Sequence, residues 1–390
     1  MYISKSTLAQ LKSAVPIQSI VGRNTKFTKR GKNLFALCPL HKEKTPSFSI
    51  NTENNTFKCF GCNAMGDSMD LLMQIKRITF NDAAKEIAKL ANIDLPTYSI
   101  PKPKDEENFF FNFAAMHYNM SLLANKKVMD YLKNRNITEQ DVEQFGIGYD
   151  DGSLYQAAHK INLNTALITK LNLNFTNRIT FTIRNNENGI IAFGARSLLD
   201  LQPKYINSPN SSFFIKNVNH FIPLDFLHYA QKKDHIIITE GYLDAVQAWK
   251  NGYNNAISIN GTSLSPQAID NLADIVNNIT LALDNDTPGQ EATLKILPQL
   301  LQKNLTVSFA DLKENEDLDK SLRNDPNIRL IQLSDYFINK LNKDLKISKS
   351  QLVKSTKQVI SIIKKIPSLT YQIDTKRTIA QTLQLPITIL

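Results

Sequence analysis

The sequence predicts a multidomain α+β chain. A small metal-stapled β module comes first, then an α+β segment, an α/β unit built on a parallel sheet, and a helical end. Three observations carry this reading: three cysteines and a histidine close together near the N-terminus, a rhythm of β-branched runs and helical stretches between residues 234 and 310, and a charge balance that changes sign along the chain. At 390 residues the chain exceeds what one hydrophobic core normally serves, ~250 to 300 residues, so several cores are expected.

Hydrophobic residues make up 42% of the chain and charged residues 21%, ordinary values for a folded globular protein. No stretch approaches the ~18 consecutive apolar residues of a spanning helix, and Met1 to Ile20 lacks the apolar core of a secretory signal. The expected location is the cytoplasm, with no membrane partner. The net charge of +10 is unevenly spread. Residues 1–104 hold sixteen Lys/Arg against seven Asp/Glu, and residues 105–233 hold thirteen against twelve. Residues 234–319 invert to four against thirteen, and 320–390 return to thirteen against four. Basic flanks suit a polyanion such as nucleic acid, and a concentrated acidic block suits divalent cations.

Cys38, His41, Cys59 and Cys62 form Cys-x-x-His, seventeen residues, then Cys-x-x-Cys. Two close ligand pairs on tight turns, separated by a hairpin-sized spacer, can converge on one tetrahedral zinc ion. Four protein ligands leave no open position, so one structural Zn²⁺ is expected, contributing roughly 10 to 16 kcal/mol to folding of the module. Alternation over Asn33–Leu37, Ser47–Asn51 and Thr56–Phe60 predicts short strands around the ligands, as in a zinc ribbon. Phe27, Phe35, Phe48, Phe57 and Phe60 alternate with Lys26, Lys29, Arg30, Lys32 and Lys58, a pattern that can stack bases and neutralise phosphates. Most of those phenylalanines are expected in the core.

The string Cys38-Pro39-Leu40-His41-Lys42-Glu43-Lys44-Thr45-Pro46-Ser47-Phe48, followed by Cys59-Phe60-Gly61-Cys62, resembles the zinc-binding domain of DnaG-type DNA primases. The likeness continues through Gly66-Asp67 and a helical segment Asn81–Leu90 to Leu95-Pro96. It implies a module that reads a single-stranded template. Pro96, Pro101 and Pro103 with Lys102 and Lys104 mark a linker, which gives a zinc-binding domain at 1–96 and a tether at 97–104.

From residue 234 onward the chain alternates: His235–Thr239, Tyr242–Asn251, Ala256–Ile259, Pro266–Asn277, Ile279–Leu283, Pro288–Leu301, Leu305–Ala310. Strands alternating with helices predict a parallel sheet, whose ligands bind beyond the carboxyl ends of the strands. Acids stand there. Glu240 ends the first strand with Gly241 for the turn and Asp244 one helical turn on, Asp284 and Asp286 end the third, and Glu316, Asp317 and Asp319 follow the fourth. Positions two apart in extended chain face the same way, so Asp284 and Asp286 are expected to share a site. Clustered carboxylates repel by about 4 kcal/mol per pair at ~4 Å and an effective dielectric near 20, a cost that a divalent cation removes. Hard oxygen ligands favour Mg²⁺.

Glu240-Gly241-Tyr242-Leu243-Asp244 and Asp284-Asn285-Asp286-Thr287-Pro288-Gly289 resemble the TOPRIM fold shared by primases and topoisomerases. Asn177-Arg178-Ile179-Thr180-Phe181, Gly189 to Arg196, and Pro203 to Pro209 leading to Phe214-Ile215-Lys216 are similar to the segment preceding TOPRIM in DnaG-type primases. The resemblance implies an RNA polymerase unit, with its N-terminal part at 105–233 and a TOPRIM catalytic unit at 234–320. It makes Glu240 a general base or metal-adjacent carboxylate, Asp284 and Asp286 metal ligands, Asp317 and Asp319 a second acidic pair, and Gly241 and Asp244 supporting residues. Arg178, Arg196, Lys204 and Lys216 become nucleotide- and template-binding residues. The implied reaction is two-metal nucleotidyl transfer, with Mg²⁺ or Mn²⁺, of ribonucleoside triphosphates onto RNA primers laid on single-stranded DNA. The chain departs from the family pattern at Leu40, Asn285 and Leu318.

No Gly-x-x-x-x-Gly-Lys-Ser/Thr string occurs, which excludes a fused nucleotide-driven motor of that kind. Residues 321–390 are expected to be helical, and the family's helicase-binding domain is not found, so weak or no helicase binding by this chain is expected. Two alternatives share part of the evidence: a TOPRIM nuclease or topoisomerase-like enzyme, and a non-enzymatic zinc-ribbon DNA-binding accessory protein.

Overall fold

A computed structural model describes residues 5–384 and 386–387, apart from 23–24, 79, 94, 96–104, 186–188, 199–201, 217, 219–222, 224–225, 260 and 262. The expected linker, with Pro96, Pro101, Lys102, Pro103 and Lys104, lies outside the described residues. The chain divides into two compact units, Met1–Ser99 and Ile100–Leu390.

In the first unit, helices α1 (Lys5–Ala14) and α2 (Ile17–Val21) precede strands β1 (Thr28–Arg30), β2 (Asn33–Ala36), β3 (Phe48–Asn51), β4 (Thr56–Cys59) and β5 (Met65–Asp67), then α3 (Ser68–Lys76) and α4 (Phe80–Ala91). The strands form an antiparallel meander in chain order. Period-two alternation sets its faces: along β4, Phe57 and Cys59 point inward while Thr56 and Lys58 face water. Phe57 stacks on Phe48 at 5.2 Å, and the two share a core with Ile17, Ile50 and Leu71. At the β3–β4 turn Asn55 takes a left-handed conformation, φ 50°, which suits its short polar side chain. Its amide then donates to the carbonyls of Lys12 (2.7 Å) and Val15 (2.9 Å) and accepts from the Ile17 N–H (3.0 Å), pinning α1 and α2 to the hairpin. An Asp67–Asp70 capping box starts α3.

The second unit opens with α5 (Asp105–Ala124), α6 (Lys126–Lys133) and α7 (Glu139–Gln144), then β6 (Ile147–Asp150), α8 (Leu154–Lys160), α9 (Ala166–Lys170), β7 (Arg178–Arg184), β8 (Ile190–Ser197) and β9 (Tyr205–Asn207). These strands form an antiparallel sheet in the order β6-β7-β8-β9. Next come α10 (Phe226–Lys233), β10 (His235–Thr239), α11 (Tyr242–Lys250), β11 (Ala256–Ser258), α12 (Pro266–Ile275), β12 (Asn278–Ala282), α13 (Thr287–Gln302), β13 (Thr306–Ala310), α14 (Leu318–Asn324) and β14 (Leu330–Ile331). The second sheet has the order β11-β10-β12-β13-β14. Its first four strands are parallel, as the β-branched rhythm predicts, and β14 adds an antiparallel edge. Ile236, Ile237 and Ile238 are all buried, the continuous apolar run of a strand covered on both faces. Helices α15 (Leu333–Ile347), α16 (Lys349–Ile363) and α17 (Leu369–Thr382) follow, in keeping with the helical end read from the sequence.

The two sheets of this unit meet at Tyr242, whose ring stacks on Phe181 of β7 at 4.6 Å and whose hydroxyl bonds Asn207 of β9. Gly194 leaves room for that ring, since a Cβ there would lie 1.8 Å from the Tyr242 hydroxyl. Lys250 of α11 makes a second tie, bonding Asp141 of α7 at 2.5 Å.

Candidate metal centre and acidic site

Cys38 follows β2, Cys59 ends β4, and the loop after each carries its partner, His41 and Cys62. The four ligand atoms all lie within 4.8 Å of one another. Cys38 Sγ and Cys62 Sγ are 3.9 Å apart, close to the roughly 3.8 Å that separates two thiolates on a tetrahedral zinc with 2.3 Å bonds. His41 presents Nδ1 to Cys59 Sγ at 3.9 Å, while its Nε2 faces Glu43 Oε2 at 3.4 Å. Glu43 also accepts from the Cys38 N–H (2.7 Å), the Ser47 N–H (3.1 Å) and the Ser47 hydroxyl (2.5 Å), and that hydroxyl lies 3.2 Å from Cys59 Sγ. One carboxylate therefore braces three of the four ligands. Gly61 has to be small, because a Cβ there would sit 2.7 Å from His41 Nε2. Of the aromatic residues in this unit, Phe48 and Phe57 are core, whereas Phe60 is exposed beneath Lys58 and Phe35 lies beneath Arg30.

In the second unit, chain order around β10 runs first to β11 on one side and then to β12 on the other. The crevice beyond the carboxyl ends of β10 and β12 is the switch point where such sheets place ligands. Glu240 and Asp284 stand there, and both line one small cavity together with Arg135, Arg196, Lys204, Tyr205, Asp244, Asp317 and Asp319. Burial, then the charges of Glu240, Asp317 and Asp286, pushes Asp284 up to about 7. Burial also pushes Glu240 up to about 7, against a hydrogen bond from the Asp284 backbone. Asp244 rises to about 8 by burial and the neighbouring carboxylates. Its two oxygens accept from the N–H groups of Gly241 (3.0 Å) and Asp319 (2.9 Å), which ties the first acidic turn to the last.

Asp286 caps α13, accepting from the Gly289 N–H at 2.8 Å, and Asp317 caps α14, accepting from the Lys320 N–H at 2.7 Å. Leu318 begins α14 and is buried, an apolar anchor beside the Asp317 cap. Asp319 is 1% exposed and ion-paired with Arg135 and with Arg323 (3.3 Å). Burial raises its pKa while the two arginines oppose the rise. Arg196 donates to the Tyr205 hydroxyl at 2.7 Å and lies over the rings of Tyr131 and Tyr205. Lys204 lines the cavity and lowers the proton affinity of both Glu240 and Asp284. Two sequence-predicted cations stand elsewhere. Arg178 is buried, with Nη1 on the carbonyls of Pro203 (2.9 Å) and Lys204 (3.3 Å), and Lys216 is exposed and does not line the cavity.

Arg135, Tyr131 and Tyr205 were not singled out by sequence reasoning. Arg135 lies 184 residues before its partner, and no local pattern announces such a contact. Divalent cations fit this donor set. Glu240 Oε2, Asp284 Oδ1 and Asp319 Oδ1 are buried hard oxygens without a hydrogen-bond partner among the described residues, and unmet acceptors of this kind are costly unless a cation or proton satisfies them.

A zinc ribbon together with a Toprim-type acidic centre defines the class. The chain matches the family models described as CHC2 zinc finger over residues 3–102, DNA primase catalytic core N-terminal domain over 116–222, and Toprim-like over 237–322. Taken with the relatives below, these matches show that the chain belongs to the DnaG-type DNA primase family. It is 31% identical to a DNA primase of Thermotoga maritima, the match covering 82% of this chain and 59% of that one. It is 30% identical to a DNA primase of Buchnera aphidicola subsp. Baizongia pistaciae, covering 94% and 69%. The crystal structure of the Aquifex aeolicus primase zinc-binding and RNA polymerase domains shares the fold, with a TM-score of 0.59, 23% identity, and 99% and 98% of the two chains covered. The chain spans about three fifths of the length of the first of these relatives. Among the described residues, no helix is long and apolar enough to cross a membrane.

Proposed function

We propose that this chain is a cytoplasmic DNA primase, a DNA-directed RNA polymerase that joins ribonucleoside triphosphates into short primers on single-stranded DNA. The observation that carries the proposal is the gathering of Glu240, Asp284, Asp244, Asp317 and Asp319 with Arg135, Arg196 and Lys204 around one cavity at the sheet's switch point. Residues 1–96 act as the template-reading ribbon braced by one Zn²⁺, 97–104 as tether, 105–233 and 234–320 as the polymerase body, and 321–390 as its helical support. A replicative helicase is a partner suggested by the family alone.

Divalent cations, Mg²⁺ or Mn²⁺, bound at Asp284 and Asp286 with Glu240 and Asp317 nearby, would supply Lewis acidity and charge neutralisation for phosphoryl transfer. Glu240, beside Asp284 in the same cavity, takes the proton of the attacking 3′-hydroxyl. The new bond forms from that oxygen to the α-phosphorus as the bond to pyrophosphate breaks. Lys204 and Arg196 meet the charge on the departing phosphates. Arg178 acts indirectly, holding the Pro203–Lys204 backbone so that Lys204 stays over the acids. Asp319 positions Arg135 and Arg323, and Asp244 fixes the spacing of the two acidic turns.

The test is incorporation of labelled ribonucleotides on unprimed single-stranded DNA, comparing the zinc-loaded wild type with Asp284→Asn and with a divalent-free control. Short RNA made by the wild type and lost in both controls supports the proposal. Strand cleavage instead of synthesis points to a Toprim nuclease, and DNA binding with neither activity to an accessory protein.

A further inference from the structure

The parallel pairing of β12 with β13 ends at Leu281 and Phe309, short of the acids that follow both strands. Asp284 after β12 and Asp317 after β13 line the same cavity, beyond the reach of the sheet's own ladder. Like charges there push the two loops apart: burial, then Glu240 and Asp317, oppose the ionisation of Asp284. Among the described residues, every hydrogen bond that joins the β12–α13 loop to the β13–α14 loop involves Asn285.

Asn285 stands between Asp284 and Asp286, at a position where the chain departs from the family pattern. Its backbone N–H donates to the Glu316 carbonyl at 3.1 Å, and its carbonyl accepts from the Asn315 N–H at 2.9 Å. The side chain adds a second tie. Its Nδ2 donates to the Leu312 carbonyl at 2.7 Å, while its Oδ1 accepts from Gln290 Nε2 of α13 at 2.9 Å. A backbone carbonyl only accepts, so the Leu312 bond fixes which way the amide faces and leaves Oδ1 for Gln290. The facing loop is itself a closed turn. The Lys313 N–H donates to Glu316 Oε2 at 3.1 Å, the Glu316 N–H donates to the Lys313 carbonyl at 3.1 Å, and Asn315 is left-handed at φ 56°. A tie on Leu312 therefore also holds Glu316 and the adjoining Asp317. Neither Asn285 nor Gln290 lines the cavity that holds Glu240 and Lys204.

We propose, resting on the polymerase reading above, that Asn285 braced by Gln290 is a positioning residue for primer synthesis, clasping the two loops so that divalent cations meet Asp284 with Asp317 at a fixed distance. Clasped loops bind the cations without rearranging. Freed loops spread and have to be drawn back, which lowers affinity but leaves the saturated site able to react.

Binding of Mn²⁺ to the full, zinc-loaded chain, followed by the paramagnetic resonance of the free ion, tests this beside the Mg²⁺ dependence of ribonucleotide incorporation. Asn285 lies outside the left-handed region, so alanine accepts its backbone. Asn285→Ala is expected to bind Mn²⁺ about tenfold more weakly and to need about tenfold more Mg²⁺ for half-maximal synthesis, the scale on which outer partners of metal-binding carboxylates act. At saturating Mg²⁺ its rate is expected within about threefold of the wild type. Gln290→Ala is expected to weaken Mn²⁺ binding about threefold, the loss of one hydrogen bond, and to add nothing to Asn285→Ala in the double variant. A merely structural Asn285 would lower the thermal transition and leave the Mn²⁺ affinity of the folded chain unchanged, and that result overturns the proposal. So does a double variant that binds more weakly than Asn285→Ala, or, where Asn285→Ala does not fold, an unchanged affinity in Gln290→Ala. A wild type that makes no RNA and binds Mn²⁺ no better than Asp284→Asn overturns the polymerase reading and this proposal together. An active, Mn²⁺-binding wild type matched by Asn285→Ala overturns this proposal alone.

Discussion

Arg135 reaches from the end of α6 to the buried carboxylate of Asp319 at the start of α14, joining the helical front of the second unit to its acidic turn. Among the described residues, Arg323 is the only other cation within ion-pair distance of that carboxylate. Removing one partner of a buried pair leaves charge without compensation, a loss of about 3 kcal/mol where a second cation remains. Arg135→Met is therefore expected to shift denaturant unfolding, followed through the single tryptophan Trp249 in neighbouring α11, and to depress primer synthesis. The double variant Arg135→Met with Asp319→Leu should regain much of the stability but not the synthesis. Recovery of both would reduce the pair to a structural tie.

The acids of the cavity give a pH dependence of definite sign. Glu240 rises from 4.5 to about 7, Asp284 from 3.8 to about 7 and Asp244 from 3.8 to about 8. The folded state thus holds protons that the unfolded chain releases. Their stabilising contribution is complete below about 4 and is lost as pH rises through about 7 to 8. Without divalent cations, Asp284→Asn should gain about 2 kcal/mol over the wild type at the alkaline end, after discounting for solvent screening and shared titration, and almost nothing at the acid end. Mg²⁺ should stabilise the wild type more than the variant, because the cation binds the ionised form. A stability gap that does not change with pH would show that the carboxylates are not protonated in the folded state.

Gly289 bears on the same acids through the backbone. A Cβ there would lie 2.1 Å from the Asp284 carbonyl oxygen and 2.9 Å from its carbon, atoms that cannot swing aside as a side chain can. Gly289→Ala is expected to displace the Asp284–Asp286 turn and cost about a hundredfold in the rate of synthesis, the scale of a misplacement near 1 Å, with the zinc content unchanged. Single-turnover incorporation measures it. A rate within threefold of wild type would mean that the turn's position is not critical.

The parts that the sequence disclosed are those with a local signature. Four ligands in two close pairs need only spacing to be seen, and the strand–helix rhythm from His235 to Ala310 suffices to place Glu240 and Asp284 at strand ends. Positions two apart in extended chain lead to the expectation that Asp284 and Asp286 share a site, whereas Asp286 caps α13 and does not line the cavity that Asp284 lines. What stayed hidden depends on tertiary contact. The resemblance makes Arg178 a nucleotide- or template-binding cation, yet it is buried against the carbonyls of Pro203 and Lys204. Asp319 reads as one more acid, and its arginine clamp draws on α6. The edge strand β14 has two residues, too few for any periodicity to register.

Glu43 sits within the zinc-binding string but has no signature of its own, and its contacts give it a testable part. Its Oε2 faces His41 Nε2, which leaves Nδ1 for the metal, while its Oε1 holds the Cys38 N–H and, through Ser47, the carboxylate reaches Cys59. Outer partners that orient metal-bound histidines typically change metal affinity by about 10- to 100-fold when lost. Glu43→Gln keeps the size and one acceptor but loses the charge, and is expected to release zinc about tenfold more readily to a competing chelator, with Glu43→Ala weaker still. Because metal binding and folding of such ribbons are coupled, the melting of residues 1–99 should track the zinc affinity across the series. Equal affinities in all three proteins would mean that close packing against Gly61 alone orients the His41 ring.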